Sequence, residues 1–265
     1  MSVIGRYAVP KKAKPTIKLP KFSWSWLSIP SLLVAWMAIA TQFPSYILPQ
    51  VWDVAEEGYL WIVNGELLPH LWASFTEEVG GFGSAIVVSI ICGFLAGFYK
   101  GFREYIVPLN GLFMAIPPIA WAPLMLIIFG IGYTTIIVVI FISAVNPMIL
   151  TIMEGVLTIQ GSEVRAARAL GAKRLQLFIY VYLPASLPFI TAALRIGFSQ
   201  AWRALVAAEM IGATQGLGWM VSMGGEIGNS RQVLLGIALI GGVSWLFERL
   251  FFRQIEKRYE VWRIQ

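Results

Sequence analysis

Five residues in one apolar stretch carry side chains suited to handling a charged solute: Arg195, Ser199, Trp202, Arg203 and Glu209. On a helix of about 3.6 residues per turn, Arg195, Ser199, Trp202, Val206 and Glu209 fall within about 80° of one stripe. Such a stripe presents a guanidinium, a hydroxyl, an indole and a carboxyl in sequence. The chemistry is attraction of an oxyanion by a fixed fork of donors, not bond making. Arg195 and Glu209 are separated by about 21 Å of helix, and Arg203 and Glu209 by about 9 Å on different faces, so neither arginine is placed to pair with Glu209. Partners are expected on other helices or in a second subunit, because ionisable groups inside a membrane span face protein or water. A second reading stays open: Arg195 snorkels to the inner boundary, while Arg203 and Glu209 satisfy structural hydrogen bonds.

Other chemistries have no equipment. His70 is the single histidine and Cys92 the single cysteine, so the sequence holds no intrachain disulfide, cysteine metal site or histidine-based catalytic centre. Gly216-Leu217-Gly218 and Gly224-Gly225 lack the lysine and preceding strand of a nucleotide loop, and are read as an outer turn or re-entrant segment. With no Walker A sequence, any ATP chemistry belongs to another chain. Asp53, Glu56 and Glu57 read as a solvated acidic face that could steer a docking partner. The chain is not an enzyme by these criteria.

The elements that must position these residues are membrane spans. The 265 residues are 58% hydrophobic and 13% charged, with a mean hydropathy of +0.73, too apolar for an ordinary soluble domain. Six spans are predicted at 26–43, 79–99, 106–129, 134–153, 187–211 and 233–252, within a transmembrane domain covering 26–252. A basic tail precedes it at 1–25 and a charged tail follows at 253–265. The segment 44–70, with acids and Trp52, Tyr59 and Trp61, is expected to include an interfacial helix on the outer side. In the third span Pro117, Pro118 and Pro123 break the helical ladder, freeing carbonyls that need protein or a wet cavity beside them. Those prolines are read either as kinks or as pathway lining, and Trp121 either as packing or as lining. Placing both termini inside puts 17 of the 20 Lys and Arg residues on the inner face. The protein is therefore read as a multi-pass protein of the cell membrane.

Between the fourth and fifth spans lies a basic loop, 154–186, read as two short helices. Ser162 is a candidate N-cap with Glu163 in the first turn, and Val164, Ala167, Leu170 and Gly171 follow at helical spacing. Gly171 suits a left-handed helix end. Leu175, Phe178, Ile179, Tyr182 and Leu183 match one apolar face of a second helix, which Pro184 is expected to end. A basic hairpin of this kind is a docking surface.

The pattern Ala166-Ala167, Gly171, Ile179 and Leu183-Pro184 resembles the cytoplasmic EAA loop of ABC importer permeases. The stretches IPPIAWAPLMLIIFGIG (116–132), LPASLP (183–188) and AAEMIGATQGLG (207–218) resemble the nitrate, sulfonate and taurine group of that family, and the likeness runs from about residue 48 onward. The resemblance implies an all-α, type I importer permease fold and a subunit carrying a small anion. It implies a second permease subunit in a homodimer, two ATPase subunits using ATP and Mg, and an extracytoplasmic substrate-binding protein. The chain would touch membrane lipid but no nucleic acid, and would bind no cofactor itself. ATPase coupling would fall to Glu163, Arg165, Ala166, Ala167, Arg168, Gly171, Leu183 and Pro184. The pathway would take Pro117, Pro118, Trp121, Arg195, Ser199, Trp202, Arg203 and Glu209. One position departs from the pattern: the family glutamate falls six residues before the glycine, where this chain has Arg165. Glu163 is two residues earlier, about 200° round the helix. Either Glu163 substitutes from another face or the ATPase offers an acid to Arg165. The rival readings are a stand-alone carrier or channel, for which such a lever is unneeded, and a scaffold that transports nothing.

Overall fold

The computed structural model describes residues 27–159 and 161–252; the tails predicted at 1–25 and 253–265 lie outside the described residues. Helices α1 (Ser28–Ala40) and α2 (Val51–Val63) lead into α3 (Leu67–Phe98), α4 (Lys100–Ala115), α5 (Pro118–Phe129) and α6 (Tyr133–Thr158). The hairpin helices α7 (Ser162–Ala169) and α8 (Arg174–Leu177) precede α9 (Leu183–Gly212), α10 (Leu217–Glu226) and α11 (Ser230–Phe247).

The core is α6 held between α3 and α9, and residue size explains the closeness. Gly81, Ala85, Ser89, Gly93 and Gly97 recur every fourth residue of α3 and are all buried. A methyl added at Gly81 would come within 2.5 Å of Ile140, one at Gly93 within 2.7 Å of Ile152, and one at Gly97 within 2.5 Å of Val156. Such a small-residue stripe lets two membrane helices touch backbone to side chain, which dispersion rather than water exclusion must hold together. On the opposite side Ala193, Gly197, Ala201 and Ala208 of α9 are buried against α6, whose Ile136, Ile140, Met148, Ile152 and Val156 fill the space between.

Prolines set the main break. Ile116 and Pro117 each precede a proline and are both extended (ψ 119° and 142°), because a following pyrrolidine ring excludes the α region. Pro118 then opens α5 at its first position, where no N–H is needed. The predicted third span is accordingly two helices, α4 and α5, at 94° to each other.

Among the described residues, four helical segments are long and apolar enough to cross a membrane, and the α4–α5 pair makes a fifth if counted as one span. α1 has 13 residues, about 20 Å of helix against a hydrocarbon core of about 30 Å. The second span begins twelve residues before its predicted start, at Leu67 rather than residue 79. The Gly-rich segment after α9 is largely the helix α10 and not an open loop.

The hairpin also differs from expectation in two respects. Pro184 does not end the second helix. A π-helical turn, Phe178–Tyr182, carries α8 directly into α9, with the Leu183 N–H bonded to the Phe178 carbonyl. The widened turn accommodates a residue without an N–H, so Arg174–Gly212 is one continuous 39-residue helical run. Gly161, not Ser162, occupies the N-cap of α7.

Candidate functional site

The structure divides the stripe predicted on α9. Arg195, Ser199 and Arg203 lie on its exposed side, whereas Trp202 and Glu209 are buried in the bundle at 7% and 0% exposure. Arg195 pairs with Glu248 of α11's terminal π-turn at 2.5 Å, a partner on another helix as expected. The Arg203 guanidinium folds back on its own helix, donating from Nε to the Ser199 carbonyl at 2.8 Å and from Nη2 to Ser199 Oγ at 2.7 Å. Among the described residues no carboxylate pairs with Arg203.

Glu209 has a different task. Its Oε1 accepts from Ser74 Oγ at 2.5 Å and its Oε2 from the Gly218 N–H at 2.5 Å. Ser74 Oγ in turn accepts the Leu217 N–H at 2.9 Å, and His70 Nδ1 accepts the Gly216 N–H at 3.1 Å. Three otherwise unpaired donors at the start of α10 are thus satisfied by side chains of α3 and α9. A carboxyl there also meets the positive end of the helix dipole. Gly216 has φ +127°, and a methyl on it would come within 2.5 Å of the Glu209 carboxyl, so glycine is required. The imidazole of His70 stacks on Trp219 at 5.1 Å. The Gly216-Leu217-Gly218 motif is therefore a helix start docked on Glu209. Sequence reasoning missed Ser74, His70, Glu77 and Glu78 as members of this end of the bundle.

Pro118 and Trp121 line a cavity of about 60 Å³ with Ser143, Asn146 and Pro147 of α6 and Gln200 of α9. Pro117 sits at the break that opens it. Asn146 Nδ2 and Ser143 Oγ each donate to their own helix, at 2.8 and 2.7 Å. The lining is mixed and uncharged, with these polar groups set among Phe113, Met114, Ile116 and Ile142.

In the hairpin, Gly171 adopts φ +84°. The Gly171 N–H bonds to the Arg168 carbonyl at 3.0 Å, and the Ala172 N–H to the Ala167 carbonyl at 3.1 Å, the paired bonds of a Schellman closure. Val164 and Leu177 are buried against Ile159. The apolar face expected on the second helix is split. Phe178 and Tyr182 pack edge-on against Phe98, at 6.2 and 4.7 Å, while Leu175, Ile179 and Leu183 are exposed. Leu170 is 89% exposed. Glu163, Arg165, Ala166 and Arg168 are exposed as well, and Pro184 lies beside Leu183 on the same outward side.

At the other end of the molecule, the acidic face expected at Asp53, Glu56 and Glu57 is partly engaged. Arg231 of α11 reaches Asp53 at 3.7 Å and Glu56 at 3.8 Å, and Glu57 accepts from Trp61 Nε1 at 3.1 Å. The Arg231 pairs link α2 to α11, so this patch is not simply solvated.

Residues 85–260 match the family described as binding-protein-dependent transport system inner membrane component. The chain is 36% identical over 259 residues to the taurine transport system permease protein TauC of Escherichia coli (strain K12), covering 91% of this chain and 94% of that protein. It is 29% identical over 239 residues to the nitrate import permease protein NrtB of Synechocystis sp. (strain ATCC 27184 / PCC 6803 / Kazusa), covering 87% and 86%. It is 30% identical over 202 residues to the putative aliphatic sulfonates transport permease protein SsuC of Bacillus subtilis (strain 168), covering 76% and 73%. An all-helical chain with several membrane-length helices, matched along most of its length to these permeases, has one reading. The chain belongs to the binding-protein-dependent transport system inner membrane components, the type I permeases of ABC importers.

Proposed function

We propose that this chain, as one of two copies, lines the pathway for a small oxyanion of the taurine, aliphatic sulfonate or nitrate kind and is driven by separate ATPase subunits. The observation that carries the reading is the unbroken run from Arg174 to Gly212. A single rigid element joins an exposed hairpin surface to the span bearing Arg195, Ser199 and Arg203. Displacement of the hairpin by a closing ATPase pair is therefore displacement of α9, a rigid-body transition of the kind helix bundles support. Leu170, Leu175 and Ile179 supply the apolar contact such docking needs, and Arg165 and Arg168 the charge. In this arrangement Arg165 meets an acidic residue of the ATPase, in place of the glutamate usual in the family. The chain itself is non-catalytic.

Arg203 bears on solute class. A guanidinium on an exposed face of a membrane helix is costly beside lipid, so that face belongs against a second copy or a wet pathway. Its charge favours an anion. The positive-inside count supports a reading with both termini and the hairpin in the cytoplasm; six spans then require α1, short as it is, to be the first. An extracytoplasmic binding protein would then meet the opposite face, where α2 and α11 are joined by Arg231. Uptake into proteoliposomes by the complex with its ATPase and binding protein, over a panel of taurine, alkanesulfonates and nitrate, tests the reading. Uptake requires ATP and at least one of these anions if it is right. Gradient-driven transport by the chain alone would overturn it.

A further inference from the structure

Three buried carboxyls meet where α3, α9 and α10 join: Glu77 and Glu78 of α3 and Glu209 of α9, none more than 6% exposed. Both Glu209 oxygens are supplied with donors, Ser74 Oγ and the Gly218 N–H. Its neighbours are not. No donor of the protein reaches Glu77 Oε2 or either oxygen of Glu78. Yet the carboxyl of Glu77 is hydrogen-bonded to that of Glu209. Ionised carboxylates only accept, so a bond between two of them requires a proton on one.

Cations do not resolve the conflict. Among the described residues, α2, α6 and α10, which pack on α3, contain no Lys or Arg. On α9, Arg195 pairs with Glu248 and Arg203 donates to Ser199. Arg231 of α11 is engaged by Asp53 and Glu56. At the far end of α3, Lys100 pairs with Glu104 and Arg103 donates to the Ala96 carbonyl. His70 turns Nδ1 to the Gly216 N–H as an acceptor. A buried carboxylate with neither donor nor counter-charge is strongly disfavoured against its neutral form. Glu209, which accepts on both oxygens at the positive end of α10, is the group that keeps its charge. We propose that this joint binds two protons near neutral pH, one on Glu78 and one on Glu77, which donates it to the Glu209 carboxylate. The Glu77 proton ties α3 to α9 beside the bonds that seat α10. One negative charge stands here instead of three. The assignment is independent of which solute the importer carries.

The test is infrared difference spectroscopy of the full-length protein in nanodiscs near neutral pH, with and without an isotope label at glutamate Cδ. Protonated and ionised carboxyls absorb apart, and the label separates glutamate from lipid esters. A protonated-glutamate band with two components is expected. Glu77→Gln and Glu78→Gln each remove one component. Glu209→Gln takes away the acceptor and shifts the Glu77 component without removing it. Thermal unfolding adds a second readout: Glu77→Gln keeps the wild-type Tm, because an amide donates to Glu209 as the acid does, and Glu77→Ala lowers it. No protonated-glutamate band in the wild-type protein overturns the proposal, as does a band that Glu77→Gln leaves unchanged. A Glu77→Gln Tm well above wild type overturns it equally, since the substitution would then have relieved a charge. Should the variants fail to fold, the wild-type spectrum decides alone.

Discussion

Arg203 and Glu209 are six residues apart on one helix, yet they sit in opposite worlds. Glu209 is fully buried, and both of its oxygens accept hydrogen bonds that hold the first turn of α10. Arg203 is exposed, and among the described residues its hydrogen bonds run to Ser199 of its own helix. The difference teaches how to separate architecture from function inside a membrane, where both residues look equally costly. A charged group whose every bond stays in its subunit and serves a helix end is part of the frame. One that faces outward, with no carboxylate paired to it among the described residues, plays no such part in the frame.

Breaking the framed end has the largest effect. Glu209→Ala leaves the Ser74 hydroxyl and the Gly218 N–H without their acceptor and unseats α10, at a cost of about 3–5 kcal/mol. Loss of monodisperse protein in detergent, or a sharply lowered Tm by fluorescence-detected chromatography, is the expected outcome. Gly216→Ala acts on the same joint by forcing a side chain into positive φ against the Glu209 carboxyl, for about 1–3 kcal/mol. It should lower Tm less than Glu209→Ala does. Gly171→Val sharpens the comparison from the hairpin side. Valine at φ +84° costs about 1–2 kcal/mol locally, so ATP hydrolysis should separate from uptake while the membrane bundle keeps its Tm. The smallest effect on stability belongs to Arg203→Gln, within about 0.5 kcal/mol, because the exposed side chain supports nothing else in the subunit. Anion uptake by that variant should nonetheless fall, and unchanged uptake would remove Arg203 from the pathway.

Several of these features were legible in the residues alone. Gly171 at the end of a short periodic segment reads directly as a left-handed helix end, and the structure places it there. The glycines and other small residues of α3 are also visible in the sequence as a basis for close helix packing, and in the structure Gly81, Gly93 and Gly97 meet α6. What escaped the sequence depended on distant neighbours. Glu77 and Glu78 lower the local hydropathy, so the span was begun at residue 79 and the capping set of His70 and Ser74 was left outside it. α10 looks like a loop because its caps come from residues more than a hundred positions away, apart from Glu209. Pro184 reads as a stop because the usual rule assumes an α-helical ladder, and a π-turn ending two residues earlier removes the conflict. The division of α9 into exposed and buried edges also needed the packed bundle. Helical periodicity gives a stripe but not which half of it faces α10.

The central claim is that one rigid run from Arg174 to Gly212 carries motion from hairpin to pathway. Its most direct test is the number of solute molecules moved per ATP hydrolysed, in proteoliposomes of the complete complex carrying Ala185→Gly with Ala192→Gly. Two glycines soften α9 between the π-turn and Arg195 by about 1 kcal/mol each, at exposed positions outside both the coupling and the pathway residues. The account predicts continued ATP hydrolysis with transport per ATP reduced severalfold or more. An unchanged ratio would contradict it.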